Sequence, residues 1–310
     1  MPEPVAPPIE TPASLAEAFA ILATSTPDDQ VTPIAGGTDV MVRITGEIGE
    51  PPTRMLDLSR LDDLRGIAIE GSTVVLGALT TYTEIRRSGI CREHLPALVE
   101  AAATIGAVQI QNRATIGGNA ANASPAGDTL PVLLALDASF VVGGPRGERT
   151  IAAHEFWTAY RRTALSPDEL VLSVRIPLLG GREMRFRKIG TRRAQAISKV
   201  VLAVAWQEEL RPAGAGYESE PAGSSSAAAA GRPWREVRVA LGSVADRPIR
   251  AVATEAQLEG RPPTPETADA AAETLADEIQ PIDDVRSTAE YRRAVAARAL
   301  HRIVRDAGGW

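Results

Sequence analysis

Residues 111–128 read QNRATIGGNAANASPAGD, a run of small and amide side chains with no hydrophobic period, inside a period-free segment spanning 106–127. A structureless stretch of that length within a compact domain is usually functional. Its Gly117-Gly118 pair has a counterpart upstream in Ala35-Gly36-Gly37-Thr38-Asp39. Glycine lets the backbone turn and lets successive N–H groups converge on one point unshielded by side chains, a nest that binds anions and phosphate above all. Neither loop fits the G-x-G-x-x-G fingerprint or a P-loop, whose lysine is missing. Taken singly, each pair reads first as a plain turn. The second continues with Asn119, Asn122, Ser124 and Asp128. A diphosphate flanked by sugar hydroxyls calls for that mixture of backbone donors and short polar side chains. Asp128 reads also as a helix N-cap, and Asn122 and Ser124 as groups that hold their own loop.

Working outward, VTPIA (31–35), the glycine pair, VMVRI (40–44) and MLDLS (55–59) make a strand, a turn, a helix and a second strand. The turn opens that helix, whose dipole adds to its anion affinity. Ser14 and Glu17 form a capping-box pattern before Leu15, Ala18, Phe19 and Leu22, which predicts a helix; the five prolines of residues 1–12 predict an arm without regular structure. Downstream, 67–80 reads as a hairpin, 95–105 as a helix, and a further helix starts at about Asp128. SFVVGG, ERTIAA and 169–177 read as strands, and a domain boundary falls at Pro177–Gly181. Beyond it, 200–209 and 236–244 are strand-like and enclose a Gly/Ser/Ala-rich insertion at 211–233, expected to be a mobile hairpin loop. Three helices follow near 249–260, 264–278 and 288–306, the last with an apolar stripe at Ala296, Leu300, Ile303 and Val304; Arg298, Arg302 and Arg305 read as its solvated face.

Composition removes whole classes of function. The 310 residues carry a net charge of −6, which argues against nucleic-acid binding. One cysteine, Cys91, excludes an internal disulfide and an iron–sulfur cluster on this chain's own thiolates. His94, His154 and His301 are scattered, so no metal is expected. No apolar run reaches a membrane span, and MPEPVAPPIE is no signal peptide, so the expected compartment is the cytoplasm.

AGGTD, QNRATIGGNAANASPAGD, FRKIGTRRAQAISKV, VALGSV with PIRA, and DVRSTAEYRR resemble, in this order, the FAD-binding medium subunit of the molybdenum hydroxylases, the xanthine dehydrogenase and carbon monoxide dehydrogenase type. The GGTD and KxGxRxAxAISKV forms look more like the xanthine branch. The resemblance implies an α+β fold: a two-lobed FAD-binding domain of the PCMH type over 1–177 (lobes 1–60 and 61–177), then a smaller C-terminal α+β domain over 181–310 with a three-stranded antiparallel sheet and helices. It implies that Ile34, Ala35, Gly36, Gly37, Thr38 and Asp39 form one wall of an FAD diphosphate site and Thr115, Ile116, Gly117, Gly118, Asn119 and Ser124 the other. Asp128 resembles a sugar- or ribityl-binding aspartate, and Val171 and Lys188 match positions near the isoalloxazine. From its strand alone Lys188 reads as a lysine snorkelling to solvent. Gln111 stands where the family commonly has arginine, with Arg113 a possible substitute, and Trp157 and Tyr160 read as core or interface aromatics.

The function implied is electron transfer in a heterotrimer. Molybdopterin and two-iron two-sulfur clusters sit on large and small partner subunits, and the flavin passes electrons to NAD or another acceptor. Such a chain needs no general acid or base of its own. Two rivals are a stand-alone FAD oxidoreductase on the same scaffold, for which no catalytic acid stands out, and a non-enzymatic scaffold that has lost FAD, for which Gln111 is the hint.

Overall fold

The computed structural model describes residues 7–45, 51–192, 195–209 and 231–310. The expected insertion therefore lies, from 211 to 230, outside the described residues, as do the first six residues of the expected arm.

The first lobe is a small unit of alternating strands and helices. β1 (Ile9–Glu10), α1 (Leu15–Leu22), β2 (Val31–Ile34), α2 (Thr38–Ile44) and β3 (Arg54–Asp57) build a parallel sheet in the order β1-β3-β2. Ser14 Oγ caps α1 by accepting from Glu17 N, while the Glu17 carboxylate accepts from Ala13 N rather than from Ser14. The arm expectation fails at Ile9–Glu10, which pair with Met55 and Leu56. Proline blocks only its own amide, and the carbonyl of Pro8 still accepts from Met55 N at 2.9 Å.

The second lobe runs through β4 (Ile67–Glu70), β5 (Thr73–Gly77), α3 (Tyr82–Arg87), α4 (Gly89–His94), α5 (Pro96–Thr104), α6 (Val108–Gln111), α7 (Ile116–Asn122), α8 (Leu130–Ala135), β6 (Ser139–Gly144), β7 (Gly147–Ala152), α9 (Ala153–Phe156), β8 (Trp157–Ala159), β9 (Arg162–Thr163) and β10 (Leu170–Pro177). Its main sheet has the order β4-β5-β10-β6-β7, antiparallel throughout. The period-free segment is not structureless: it contains α6 and α7. Its small side chains hide the helical period because close packing, not an apolar stripe, holds α7 in place. The helix expected from Asp128 begins instead at Leu130.

The C-terminal part adds β11 (Arg182–Ile189), β12 (Val200–Glu208), β13 (Trp234–Gly242), β14 (Ile249–Arg250), α10 (Val252–Leu258), α11 (Pro265–Glu278) and α12 (Ala289–Gly308). Its sheet has four antiparallel strands in the order β11-β12-β13-β14, one more than the three expected, because the two-residue β14 pairs with β13 at the edge. Residues 249 and 250 thus belong to a strand rather than to the expected helix. β12 is apolar almost without alternation because both its faces are buried. Val201, Ala203 and Ala205 join Met184, Phe186 and Ala240 in the core of the second lobe. Val200, Leu202, Val204 and Trp206 face the helices, where Leu275, Ala296, Leu300, Ile303 and Val304 meet them. A third, smaller core seats the first lobe: Ala18, Leu22, Val31 and Leu56 pack with Leu64, Leu79, Leu170 and Leu172.

Candidate cofactor-binding cleft

Between the β2–α2 turn, the start of α7 and the start of β10 lies a cleft of about 870 Å³. Two of its glycines are there for backbone packing. A Cβ on Gly36 would stand 1.9 Å from the carbonyl oxygen of Arg113, and one on Gly117 would stand 2.6 Å from Ala78 Cβ. Gly37 and Gly118 shape the cleft. Gly37 adopts φ +75°, a left-handed conformation that favours glycine. A Cβ on Gly118 would lie 3.5 Å from that of Ala35, so the two glycine turns touch. Arg113 reinforces this contact by donating from Nε to Gly36 O at 3.1 Å.

The two turns differ chemically. Thr115 Oγ1 caps α7 by accepting from Gly118 N at 3.1 Å, so the second pair opens a capped helix and is not the open nest its sequence suggests. α2 has Gly37 as N-cap and no side-chain cap at all. Its first-turn N–H groups have no intrahelical partner, and Gly37, Thr38 and Asp39 line the cleft.

The polar wall is a set of linked pairs. Thr129 Oγ1 donates to Asn119 Oδ1 at 2.8 Å and meets the buried Tyr82 hydroxyl at 3.3 Å. Asn122 Nδ2 donates to Asp39 Oδ1 at 2.8 Å, joining the two walls, and Arg161 Nη1 donates to Asn122 Oδ1 at 3.0 Å. Burial raises the Asp39 carboxyl above its usual range, with Arg161 and Asn122 pulling the other way. Ser124 Oγ accepts from Ala126 N within its own turn.

Asp128 is no N-cap; α8 is preceded by Thr129, which makes no side-chain cap. Instead Asp128 Oδ2 accepts from Lys188 Nζ at 2.5 Å and Oδ1 from Ser198 Oγ at 2.5 Å. Lys188 Nζ also donates to Thr104 O at 3.0 Å. Burial raises the Asp128 carboxyl, and Lys188 and Ser198 counter it. At the far wall Glu169 accepts both a bidentate grip from Arg149, at 2.9 and 2.8 Å, and the Ser166 N–H.

The expected residues Ala35, Gly36, Gly37, Thr38, Asp39, Thr115, Gly117, Gly118, Asn119, Ser124, Asp128 and Val171 all line the cleft. Three do not. Ile34 packs beneath Gly37, 3.7 Å from where its Cβ would be; Ile116 is fully buried in the core; Lys188 is buried behind Asp128, neither in the cleft nor snorkelling. Gln111 is likewise a core group, accepting from Arg86 and donating to the carbonyls of Ala103 and Ile105 at the end of α5. Trp157 is buried and donates to Ala120 O, whereas Tyr160 is exposed. The sequence reading missed Tyr82, Thr129 and Arg161. Tyr82 and Thr129 sit in ordinary helix-start surroundings, and nothing in TAYRRT distinguishes Arg161 from its neighbour.

A diphosphate-bearing ligand fits what is present. The uncapped turn of α2 offers backbone donors, Gly37 and Gly118 carry no side chain toward them, and Asp128 offers a fixed acceptor for a hydroxyl; the volume lies in the range of cofactor sites. Residues 6–179 match the family described as the FAD binding domain in molybdopterin dehydrogenase, and residues 185–307 the CO dehydrogenase flavoprotein C-terminal domain. The chain is 30% identical to the carbon monoxide dehydrogenase medium chain of Hydrogenophaga pseudoflava over 96% of its length and 95% of the relative's. It is 28% identical to the xanthine dehydrogenase FAD-binding subunit of Escherichia coli O157:H7, covering 96% of each, so both branches are matched at nearly equal identity. The solved structure of the Hydrogenophaga pseudoflava carbon monoxide dehydrogenase superposes with a TM-score of 0.85 at 30% identity, covering 96% of each chain. Two family models that together span almost the whole chain, and relatives matched along nearly their full length, thus agree, and the chain belongs to the family of FAD-binding subunits of molybdenum hydroxylases, which includes those of carbon monoxide and xanthine dehydrogenases.

Proposed function

We propose that this chain is the electron-transferring medium subunit of a heterotrimeric molybdenum hydroxylase, holding FAD in the cleft with its diphosphate at the touching glycine turns. A small partner with two-iron two-sulfur clusters supplies the electrons, a large partner with molybdopterin oxidises the substrate, and NAD or another acceptor takes the electrons away. FAD, when bound, supplies the redox chemistry, since its ring accepts electrons singly and releases them in pairs. The chain's own residues bind and orient. The N–H groups of the α2 first turn would hold the phosphates, and Gly118 would leave room for them without donating, because its N–H is spent on Thr115. Asn119 and Ser124 would meet the adjoining sugar, and Asp128 would accept from a sugar or ribityl hydroxyl. Val171, at the buried start of β10, would lie against the ring and help to keep water from it.

The observation that carries this reading is the uncapped start of α2 held against α7. A helix end left without a side-chain cap needs other acceptors, and the phosphates supply them. Partner subunits enter by analogy with relatives named medium chains. Gln111 no longer favours a scaffold without flavin, because its amide is spent on α5 and does not line the cleft. The test is to purify the chain with its encoded neighbours and assay flavin, molybdenum and iron. Stoichiometric FAD with both metals supports the reading. A colourless chain would favour the scaffold, and a flavinated chain without metals the stand-alone oxidoreductase. Reduction of NAD, compared with quinone and oxygen, then identifies the acceptor.

A further inference from the structure

Among the described residues, the cleft is lined by three carboxylates and two arginines. Glu169 is closed by Arg149 and Asp128 by Lys188, each in an ion pair. Among the described residues, the hydrogen-bond donor to the Asp39 side chain is the neutral amide of Asn122. A diphosphate drawn to the first turn of α2 would therefore meet a carboxylate in that same turn that has no direct ion pair among the described residues, Arg161 acting on it at longer range beyond Asn122. Of the two arginines, Arg43 lies in the last turn of α2, away from the glycine turn. Arg161 lies on the other side of Asn122 from Asp39.

Arg161 is built into this position. It occupies the tight β8–β9 turn with φ +52°, left-handed and costly for a non-glycine residue. One guanidinium N–H goes to Asn122 Oδ1, while its remaining donors have no protein partner among the described residues. Asn122 stands four residues after Gly118 on α7, and residues four apart share a helix face. Asn122 thus sits one turn along from the second glycine pair and holds the guanidinium near both turns.

Resting on the reading that FAD occupies this cleft, we propose that Arg161 is a further cofactor-binding residue: its guanidinium pairs with the FAD diphosphate, offsetting the charge of Asp39, and Asn122 is the positioning residue that aims it. A planar fork suits phosphate oxygens, and charge-assisted bonds of this kind are stronger than neutral ones.

The test uses the full chain stripped of flavin, titrated with FAD and, separately, with riboflavin, which lacks the phosphates. Arg161→Gln is expected to weaken FAD by roughly ten- to a hundred-fold while leaving riboflavin unchanged. Arg161→Lys should recover part of the loss, and ADP should compete with FAD less well against the Gln variant than against wild type. Asn122→Ala should give a smaller loss of the same FAD-selective kind. Equal FAD affinity in wild type and Arg161→Gln would overturn the proposal, as would an equal loss for FAD and riboflavin, which would mark Arg161 as merely structural. Wild-type chain that binds no FAD would instead overturn the cofactor reading on which the proposal stands.

Discussion

Lys188 spends its ammonium on Asp128 and on the carbonyl of Thr104, and no part of it lines the cleft. Its influence on a bound flavin therefore passes through the carboxylate that it holds. Removing one partner of a buried ion pair costs about 3–5 kcal/mol, because the remaining charge stays desolvated. Lys188→Met is accordingly expected to lower both the melting temperature and FAD affinity, rather than to shift only the flavin potential. Burial already raises the Asp128 carboxyl. A carboxyl raised in the folded state contributes fully below its unfolded value and loses that contribution as pH rises through the folded one. The deficit of Lys188→Met should thus be largest at alkaline pH and shrink in acid, and adding Asp128→Asn should relieve it. A deficit independent of pH would show that Asp128 is not the group left behind. Glu169 has the opposite sign. The Arg149 fork pulls its carboxyl down to about 2, so it stabilises the fold above the ordinary glutamate range and loses that contribution as pH falls toward 2. Glu169→Gln should be less stable than wild type at neutral pH, the gap closing as the acid unfolding curve descends; parallel curves would refute the assignment.

The glycine pairs belong to the scale of elements, because each pair joins two of them. Gly36 and Gly117 lie where backbone meets backbone or Ala78, with added Cβ distances of 1.9 and 2.6 Å, and nothing at those contacts can rotate away. Gly36→Ala and Gly117→Ala should lower the melting temperature by several degrees or abolish folding. Gly37→Ala meets only Ile34 Cγ2 at 3.7 Å and pays for its left-handed φ, about 1–2 kcal/mol. It should stay folded. So should Gly118→Ala, whose nearest neighbour is the adjustable Thr115 hydroxyl at 2.9 Å. Bulkier Val at either of these last two positions should strip flavin from folded chain, read as flavin content against far-UV circular dichroism. Full flavination of both Val variants would refute the placement of the diphosphate at the turns. At this scale most of the fold was legible: α1, the β4–β5 hairpin, α5, α11 and α12 announce themselves by caps, turns and apolar periods. α7 did not, because a helix packed through glycine and alanine has no stripe to show.

For the whole molecule, the C-terminal sheet is shared property. One face of β12 lies in the second lobe's core and the other in the C-terminal helical core. A polar tie reinforces the seam: Asp137, just beyond α8, accepts from Arg182, Arg238 and Arg250 at 3.0–3.3 Å. Separating the two parts would expose an apolar sheet face and leave three guanidinium groups without their common carboxylate. The chain is therefore expected to unfold in one calorimetric transition, and Asp137→Ala to lower it while leaving it single. Two resolved transitions in wild type would show that the seam contributes little.

What the sequence determined by itself was the set of local agreements: the order of strands and helices, the strand–glycine–helix unit of residues 31–44, and the family, because five ordered blocks persist where each alone would be weak. The two glycine walls of the cleft were legible for the same reason, since their residues lie in contiguous loops, whereas the rest of its lining was not. Only the tertiary structure decided which glycine serves packing and which serves the cleft, that Asp128 faces Lys188 across 60 residues, and that Asn122 and Arg161 close on Asp39. These are choices of partner rather than of conformation. A side chain's hydrogen-bonding capacity is written in its own residue, but the group that satisfies it is delivered by chain folding from a distance at which no local pattern is imposed.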